Sequence, residues 1–235
     1  MLSALDDKIE LNNAINKNLE EQAQAIYRNS FVGRFRIGSI GDYCKVKSGF
    51  AFKSKWWQNE GIRVIKIGSI IQDKLNIKEC SFVSEDKLKF AKDFIVSAGD
   101  LVIAMTGATI GKFTFVSRTD EILLVNQRVG KFFLGNEPIQ RLPFIYCTLK
   151  QDSVYRELIN KGQGSAQANM SSKDIMSISC IMPPDVEIEK FNKVTLPFFE
   201  TMSENCFENQ KLGEIRDALL PRLMSGEIDV SAMKI

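Results

Sequence analysis

The sequence predicts an α+β protein in which two long helices flank one mixed α/β domain. Three observations indicate this class. Apolar residues at helical spacing run through residues 3–28, a second such stretch follows Pro184, and the chain between them contains short β-branched and aromatic runs separated by glycine and serine. We therefore divide the chain into an N-terminal helix at residues 1–31, a mixed domain at residues 32–184 and a C-terminal helix at residues 185–235.

The N-terminal helix is predicted because residues 3–28 contain neither glycine nor proline. Its apolar face carries Leu5, Ile9, Leu19, Ala23 and Ile26. The same face includes Asn12 and Asn16, and polar residues at facing positions fix the register and oligomeric state of coiled coils. We interpret this as a coiled-coil helix that contacts a partner; the alternative is an amphipathic helix that packs only on its own domain.

The mixed domain begins after Gly33, where strand-like runs replace the helical pattern. The predicted strands are residues 62–67, 100–105, 113–116 and 122–125, and the predicted helices are residues 84–93 and 142–160. Because strands and helices do not alternate regularly, we expect an α+β domain rather than a doubly wound sheet. Pro183 and Pro184 end the last strand.

The C-terminal helix is predicted from Val186 to about Met224, with an interruption near Pro197 and a stop at Gly226. Its apolar positions are expected to contact a partner helix. These positions are Met202, Leu212, Ile215, Leu219 and Leu223.

The charge is unevenly distributed along the chain. Residues 32–184 contain 22 Lys or Arg against 14 Asp or Glu, a net charge of +8, whereas residues 1–31 and 185–235 carry −2 and −4. A polyanion would be attracted to the middle of the chain and mildly repelled by its ends. This partition predicts two separate functions in one chain.

Several function classes are disfavoured by composition. The chain has no histidine, which removes Ser-His and Cys-His nucleophiles, and its five scattered cysteines form no zinc or disulfide pattern. We predict no cofactor and no metal site. The sequence contains neither an apolar run of about 18 residues nor a basic and apolar N-terminal signal, so we expect a cytoplasmic protein without a membrane partner.

The segment Gly107 to Lys112 has the appearance of a phosphate-binding loop but fails on spacing. Three residues, not four, separate its glycines, and Phe113 stands where a Ser or Thr would bind magnesium. We predict a tight turn between two strands instead.

Clusters of basic, aromatic and amide side chains are candidates for nucleic-acid contact, because Arg, Gln and Asn bind base edges and Lys and Ser bind phosphates. The candidates are Ser48, Phe50, Phe52, Lys53, Lys55, Lys66, Thr106, Lys112, Asn126, Gln127, Arg128, Gln163, Ser165 and Gln167. The alternatives stay open: the aromatics could belong to the core, the amide-rich loop could be a capped turn, and the positive face could be merely solvated.

The order of several weak motifs is more specific than any one of them. LDDKIELN occurs at residues 5–12, SGFAF at 48–52, AGDLV at 98–102 and KLGEIRDALLPRLMSGEI at 211–228. This ordered series, which extends over nearly the whole chain, resembles the specificity subunits of type I restriction-modification systems. The resemblance implies a noncatalytic chain whose domain binds double-stranded DNA. It also implies helices that bind the modification methyltransferase subunit, through which the restriction and translocase subunit joins indirectly.

Members of that family usually carry two recognition domains, and this chain has one, so it resembles a half subunit. A helix of about 26 residues spans roughly 40 Å, close to the roughly 34 Å of one DNA turn. We therefore expect two chains to pair their helices in an antiparallel coiled coil and to read a palindromic, interrupted site as a homodimer. The alternatives are an interaction protein that swaps with or inhibits full-length specificity subunits, and a stand-alone enzyme.

Overall fold

Two long helices enclose the mixed domain along the chain, which confirms the α+β class. The computed structural model describes residues 2–163, 168–225 and 227. The helices are α1 (Leu2–Phe31), α2 (Ile40–Tyr43), α3 (Pro138–Leu149), α4 (Asp152–Gln163), α5 (Ser172–Met176) and α6 (Asp185–Met224). The strands are β1 (Ile37–Ser39), β2 (Lys45–Ser48), β3 (Trp57–Gln58), β4 (Ile62–Ile65), β5 (Ile70–Ile71), β6 (Lys74–Leu75), β7 (Ser81–Val83), β8 (Ile95–Val96), β9 (Leu101–Ala104), β10 (Phe113–Phe115), β11 (Leu123–Val125), β12 (Val129–Phe133) and β13 (Ser179–Ile181).

Two sheets form the centre of the domain. One has the order β10-β9-β12-β2 and is antiparallel throughout, with Phe132 paired to both Val46 and Leu101. The other has the order β3-β7-β4-β11-β8, in which only β4 and β11 run parallel, with Val64 opposite Leu124. Because β4 and β11 are parallel, the loops that follow them leave the sheet at the same edge.

The second half of α1 belongs to the core of the domain. Its residues Ala23, Tyr27 and Phe31 are buried. Tyr27 lies 5.8 Å from Phe144 of α3 between ring centroids, and Phe31 lies 5.2 Å from Phe191 of α6. Burial of these rings between three helices anchors α1 to the domain.

The first half of α1 pairs with α6 of the same chain. Asp6 binds Arg216 at 2.8 Å, Asn12 Nδ2 donates to Asn209 Oδ1 at 2.9 Å, and Asn205 Nδ2 donates to Asn16 Oδ1 at 2.8 Å. Residue numbers rise along α1 as they fall along α6, so the pair is antiparallel. We call this helix pair, residues 2–19 with 202–224, the arm.

The antiparallel pairing of the N- and C-terminal helices thus occurs within one chain, and contact of their predicted positions with a second chain stays a prediction. Asn12 and Met202 are buried, and Ile215 is exposed. The other predicted positions are half-buried: Leu5, Ile9, Asn16, Leu19, Ile26, Leu212, Leu219 and Leu223.

Two predicted helices of the domain differ from the structure. Residues 84–93 form short 3₁₀ turns rather than an α-helix, since Leu88, Ala91 and Phe94 pack on one apolar cluster at three-residue spacing. The predicted helix at 142–160 is interrupted between α3 and α4. At the break, Lys150 Nζ binds Glu20 Oε1 at 2.8 Å and Asp73 Oδ1 at 2.6 Å.

The predicted interruption at Pro197 is wrong, because α6 continues through it. Proline removes one helical hydrogen bond, but Thr195, Phe199 and Met202 are buried on either side of it at helical spacing. Thr201 Oγ1 also donates to the Pro197 carbonyl at 2.8 Å. Packing of this face on the domain outweighs the local cost of proline.

Candidate nucleic-acid interface

Four strands end at one edge of the domain, and the loops that follow them lie together there. β2 ends at Ser48, β4 at Ile65, β9 at Ala104 and β11 at Val125. We call the loops at residues 48–53, 66–69, 105–112, 126–129 and 168–172 the loop edge. The predicted nucleic-acid contacts outside α4 and residues 164–167 fall on or next to this loop edge.

Backbone hydrogen bonds join the loop at residues 48–53 to the loop at residues 126–129. The Phe50 amide donates to the Val125 carbonyl at 2.8 Å, and the Gln127 amide donates to the Phe50 carbonyl at 2.9 Å. The loops approach so closely that a Cβ on Gly49 would lie 2.3 Å from the Val125 oxygen and 2.4 Å from the Asn126 oxygen. Only glycine fits this approach without moving backbone.

The other loops are attached in the same way. The Met105 amide donates to Arg128 O at 3.0 Å and the Met170 amide to Met105 O at 2.9 Å. The Thr109 hydroxyl donates to the Ile67 carbonyl at 3.1 Å. These hydrogen bonds, most of them between main-chain atoms, fix the loops relative to one another and leave most of their exposed side chains free for other contacts.

The segment Gly107 to Lys112 is a turn between the antiparallel strands β9 and β10, as predicted. Gly107 and Gly111 have φ of +75° and +81°, a conformation that favours glycine. A Cβ on Gly111 would lie 2.5 Å from Ile159 Cδ1, so the turn packs closely on α4.

The loop edge brings together most of the predicted contact residues. Ser48, Lys53, Lys55, Gln127 and Arg128 are exposed. Half-buried positions are occupied by Phe50, Lys66, Thr106 and Lys112. Gln163 is the last residue of α4, and Ser165 and Gln167 lie outside the described residues.

Two predicted contact residues have structural roles instead. Phe52 is 8 % exposed and packs on Trp57, with ring centroids 5.4 Å apart, so its ring belongs to the core. Asn126 is equally buried, and its Oδ1 accepts the Arg128 amide at 3.2 Å, which shapes the turn after β11. Neither side chain is available to a ligand in this conformation.

Lys66 is held above an aromatic ring. Its Nζ lies 3.7 Å from the Trp57 ring centroid, and partial burial lowers the pKa of the amine. A phosphate oxygen close to this amine would favour its charged form.

The positive charge of the domain is concentrated at the loop edge. Residues 45–59, 101–119, 122–136 and 158–173, which contain most of these loops, include ten Lys or Arg and no Asp or Glu. The rest of residues 32–184 contains 12 basic and 14 acidic side chains. Three of the ten are paired with acidic residues outside these segments, Lys131 with Asp100, Arg118 with Glu204 and Lys161 with Glu157. The loop edge itself carries Lys53, Lys66, Lys112 and Arg128 and no acidic side chain, and this charge attracts a polyanion.

Sequence reasoning missed two exposed lysines near this edge, and it placed Asn169 only within an amide-rich loop. Lys45 and Lys47 alternate with the buried Val46 along β2, and this period of two could have identified them. Asn169 is exposed and forms a bridge with Thr106. No local sequence pattern pairs these two residues, since 62 positions separate them along the chain.

The cysteines are not arranged for chemistry. Cys44, Cys80, Cys147 and Cys180 are buried and Cys206 is half-buried. Burial raises the pKa of Cys44 and of Cys180 to about 12, which disfavours the reactive thiolate. In residues 2–163, 168–225 and 227, no group of three or more His, Cys, Asp or Glu side chains is placed to hold a metal ion.

None of the helices in the described part of the chain is long and apolar enough to cross a membrane.

Comparison with known proteins gives a consistent family. Residues 34–217 match the family model of the type I restriction modification DNA specificity domain. The type I restriction enzyme HindI specificity subunit of Haemophilus influenzae is 26 % identical over 304 aligned residues, which cover 97 % of this chain and 66 % of the relative. The MjaIX specificity subunit of Methanocaldococcus jannaschii is 24 % identical over 257 residues, covering 99 % and 58 %.

A solved structure has the same fold. The S subunit of a type I restriction-modification system from M. genitalium matches with a TM-score of 0.62 at 16 % identity, over 94 % of this chain and 58 % of that one. The chain thus spans about 58 to 66 % of the length of the two curated relatives. The family description names DNA specificity, which supports a recognition chain rather than a catalytic one. Because the family model covers most of its residues, this chain belongs to the type I restriction-modification DNA specificity domain family.

Proposed function

We propose that this chain is a DNA-reading subunit of a type I restriction-modification complex and that its loop edge binds one half of a bipartite site. The observation that carries this proposal is the concentration of positive charge at an edge whose loops are fixed to one another by main-chain hydrogen bonds. Charge supplies affinity for phosphates, and rigid loops hold side chains in the defined positions that base recognition needs.

The exposed side chains divide by chemistry. Arg128 and Gln127 are suited to bidentate contacts with guanine and adenine respectively, and Asn169 resembles Gln127 in this respect. Lys53, Lys55 and Lys112 are suited to phosphates, which position a protein on DNA without reading its sequence. Gln163, Ser165 and Gln167 stay in the proposed set.

A second copy of the chain would supply the other half-site. Leu11 and Ile15 of α1, four residues apart, and Ile215 and Leu220 of α6 are each more than one third exposed on the arm. These apolar side chains give a surface that a second arm could cover in an antiparallel dimer. The 23 residues of α6 in the arm, 202–224, span roughly 35 Å, enough to separate two recognition domains by about one DNA turn.

The arm is also the proposed contact for the modification methyltransferase subunit, through which the restriction and translocase subunit would join.

A second function has specific support: this chain could exchange with, or inhibit, a full-length specificity subunit. Asparagine pairs between α1 and α6, such as Asn12 with Asn209, contribute less pairing energy than an apolar seam. Helices paired in this way can change partners at low cost.

Methylation mapping tests the proposal. DNA from cells that produce this chain with its modification subunit should carry methyl groups at a palindromic, interrupted motif. An asymmetric motif would show that a different chain supplies the second half-site, and an absence of sequence-specific methylation would contradict DNA reading. A monomer in sedimentation, also with the modification subunit present, would contradict the homodimer.

Substitutions separate base contacts from phosphate contacts. Gln127→Ala should reduce discrimination between target and nontarget DNA by about 1 to 3 kcal/mol, because a lost base contact affects only the correct sequence. Lys53→Ala and Lys112→Ala should weaken binding to all sequences and each lower the salt slope by about 1.

Competition binding at several salt concentrations gives both quantities. Gln22→Ala, at an exposed amide on α1, is the matched control. If all three substitutions at the loop edge behave like Gln22→Ala, the proposed contacts are wrong.

A further inference from the structure

One aromatic side chain next to the loop edge is unusually exposed. Phe90 is 51 % exposed, and it is the only aromatic residue above one third exposure among the residues that the structure describes. A single exposed hydrophobic residue is common in proteins and needs no explanation. The surroundings of Phe90, however, distinguish it.

Phe90 is the outer ring of a stack of three. It lies 5.5 Å from Trp56 with 25° between the ring planes, and Trp56 lies 6.1 Å from Phe50 with 8° between them. In the described part of the chain, both stacked aromatic pairs include Trp56, whereas the other pairs are tilted or edge-on. Phe90 thus stacks on Trp56 while half of its surface stays exposed.

Three lysine amines lie near this stack, in a region where residues 85–93 carry three basic and three acidic side chains. The amines of Lys53 and Lys87 lie 5.6 and 5.3 Å from the Trp56 ring centroid, and that of Lys89 lies 5.1 Å from the Phe90 centroid. Lys87 is paired with Asp86, whereas the ion pairs of the described residues include neither Lys53 nor Lys89. An exposed ring with cations around it fits a planar group attached to an anionic backbone.

The stack begins at the loop edge. The Phe50 carbonyl accepts the Gln127 amide, and two ring-to-ring steps lead from Phe50 to Phe90. The two distances of 6.1 and 5.5 Å place the Phe90 ring centroid no more than about 12 Å from that of Phe50, which is about the width of the DNA major groove. Phe90 is thus close enough to the loop edge to contact DNA bound there.

We infer that Phe90, supported by Trp56 and surrounded by Lys53, Lys87 and Lys89, is a stacking platform for an unpaired nucleobase of the bound DNA. This inference rests on the proposed function and adds a second mode of contact to it. Stacking on an aromatic ring tolerates any base, since every base has a π face. The platform thus holds locally opened DNA beside the half-site, and the loop edge reads the sequence.

A single-stranded probe tests the platform without knowledge of the target sequence. The full chain is titrated with a 12-nucleotide oligo-dT and with an abasic 12-mer that has the same phosphates. Both tryptophans of the chain, Trp56 and Trp57, lie at this site, so their fluorescence reports on it directly. We expect oligo-dT to quench the fluorescence and to bind at least about fivefold more tightly than the abasic strand.

Substitutions at Phe90 then assign the effect. Phe90→Ala and Phe90→Leu should weaken oligo-dT binding at least about fivefold, and Phe90→Tyr should preserve it because the ring is retained. Ile122→Ala, at a side chain 47 % exposed in the same domain, is the matched control and should leave binding unchanged. Phe90→Leu retains an apolar side chain, and circular dichroism melting confirms that each variant is folded.

Equal affinity for oligo-dT and the abasic strand, or an unchanged affinity in folded Phe90→Ala, would overturn the inference. Sequence-specific duplex binding by the complex with its modification subunit is measured separately. If oligo-dT binds no more tightly than the abasic strand while the complex still recognises its duplex target, only the stacking platform is contradicted. Base-dependent binding through Phe90 without any duplex specificity supports the platform and contradicts the proposed function.

Discussion

The two halves of α1 differ in what they contact, although they form one continuous helix. The inner half buries Tyr27 and Phe31 among the rings of α3 and α6. The outer half pairs with α6 through Asn12 and Asn16 and leaves Leu11 more than half exposed. The inner half therefore belongs to the domain's fold, and the outer half pairs with α6 and keeps apolar side chains such as Leu11 exposed.

The energies of the two halves differ as strongly as their contacts. Burying an aromatic ring removes 150 to 250 Å² of surface from water, worth roughly 3 kcal/mol or more. A hydrogen bond between amides contributes only about 0.5 to 1.5 kcal/mol net, because water offers the same bonds to the separated groups. We conclude that the inner contacts hold the fold and that the outer contacts set the register of the helices.

A polar network marks the boundary between the halves. Lys150 binds both Glu20 of α1 and Asp73 of the β5–β6 turn, and the Tyr146 hydroxyl lies within hydrogen-bond distance of the same two carboxylates, at 3.2 and 3.1 Å. Asp73 has a φ of +63°, which is uncommon outside glycine. The network attaches the β5–β6 hairpin to α1 where the helix leaves the domain.

The largest expected effect comes from the inner half. Tyr27→Ala should lower the free energy of unfolding by about 3 to 5 kcal/mol, because it leaves a cavity among Phe31, Phe144 and Phe191. Tyr27→Phe should cost about 1 kcal/mol, since it removes only the hydroxyl that lies 3.0 Å from Thr148 Oγ1. Urea unfolding measures both, and a loss below about 1 kcal/mol for Tyr27→Ala would contradict the assignment of the inner half to the core.

An opposite result is expected in the arm. Leu219→Pro should disrupt the end of α6 at a local cost of about 3 kcal/mol while the unfolding of the domain stays unchanged. Sedimentation should then show loss of self-association and of binding to the modification subunit. Leu219→Ala is the control that shortens the same side chain but keeps the helix, and equal assembly by both variants would argue against an assembly role for the arm.

A smaller effect is expected on the pH dependence of stability, which should differ between the two halves. Burial raises the pKa of Tyr27 and of Tyr146 well above the ordinary value of about 10, so the folded state retains these protons longer than the unfolded state does. The inner half should therefore lose stability as pH rises above about 10. Tyr27→Phe should reduce this loss, as measured by circular dichroism.

The arm should respond at the other end of the pH scale. A hydrogen bond from Asn12 lowers the pKa of Glu208, and one from Lys78 lowers that of Asp217. Their contribution is present above the unfolded pKa values of about 4 and is lost as pH falls through the lower folded values. For the inner half, the wild type and Tyr27→Phe are compared at high pH. If both lose stability over the same pH range, the alkaline loss does not come from Tyr27.

The sequence predicts those strands and helices whose own residues carry the pattern of the element. The runs around β9, β10 and β11 were predicted to within two residues, because β-branched and aromatic residues cluster there. The roles of Phe52 and Asn126 could not be predicted, since burial depends on contacts with Trp57 and with the turn at Arg128. Likewise, the continuity of α6 through Pro197 depends on packing across the whole domain.

The candidate site was predictable in composition but not in arrangement. Basic and amide residues such as Lys66 and Gln127 were recognisable by type. Their proximity follows from the parallel pairing of β4 with β11, which joins segments about 60 residues apart. No local pattern in the sequence encodes that pairing.

The close approach at Gly49 has a consequence for how this protein can change its target during evolution. Any side chain at position 49 would push apart the main chains after β2 and β11, so this position tolerates almost no variation. The neighbouring exposed residues, Ser48, Gln127 and Arg128, carry no such restriction. Under the proposed function, substitutions at those positions would change the target sequence while the loop framework stays the same.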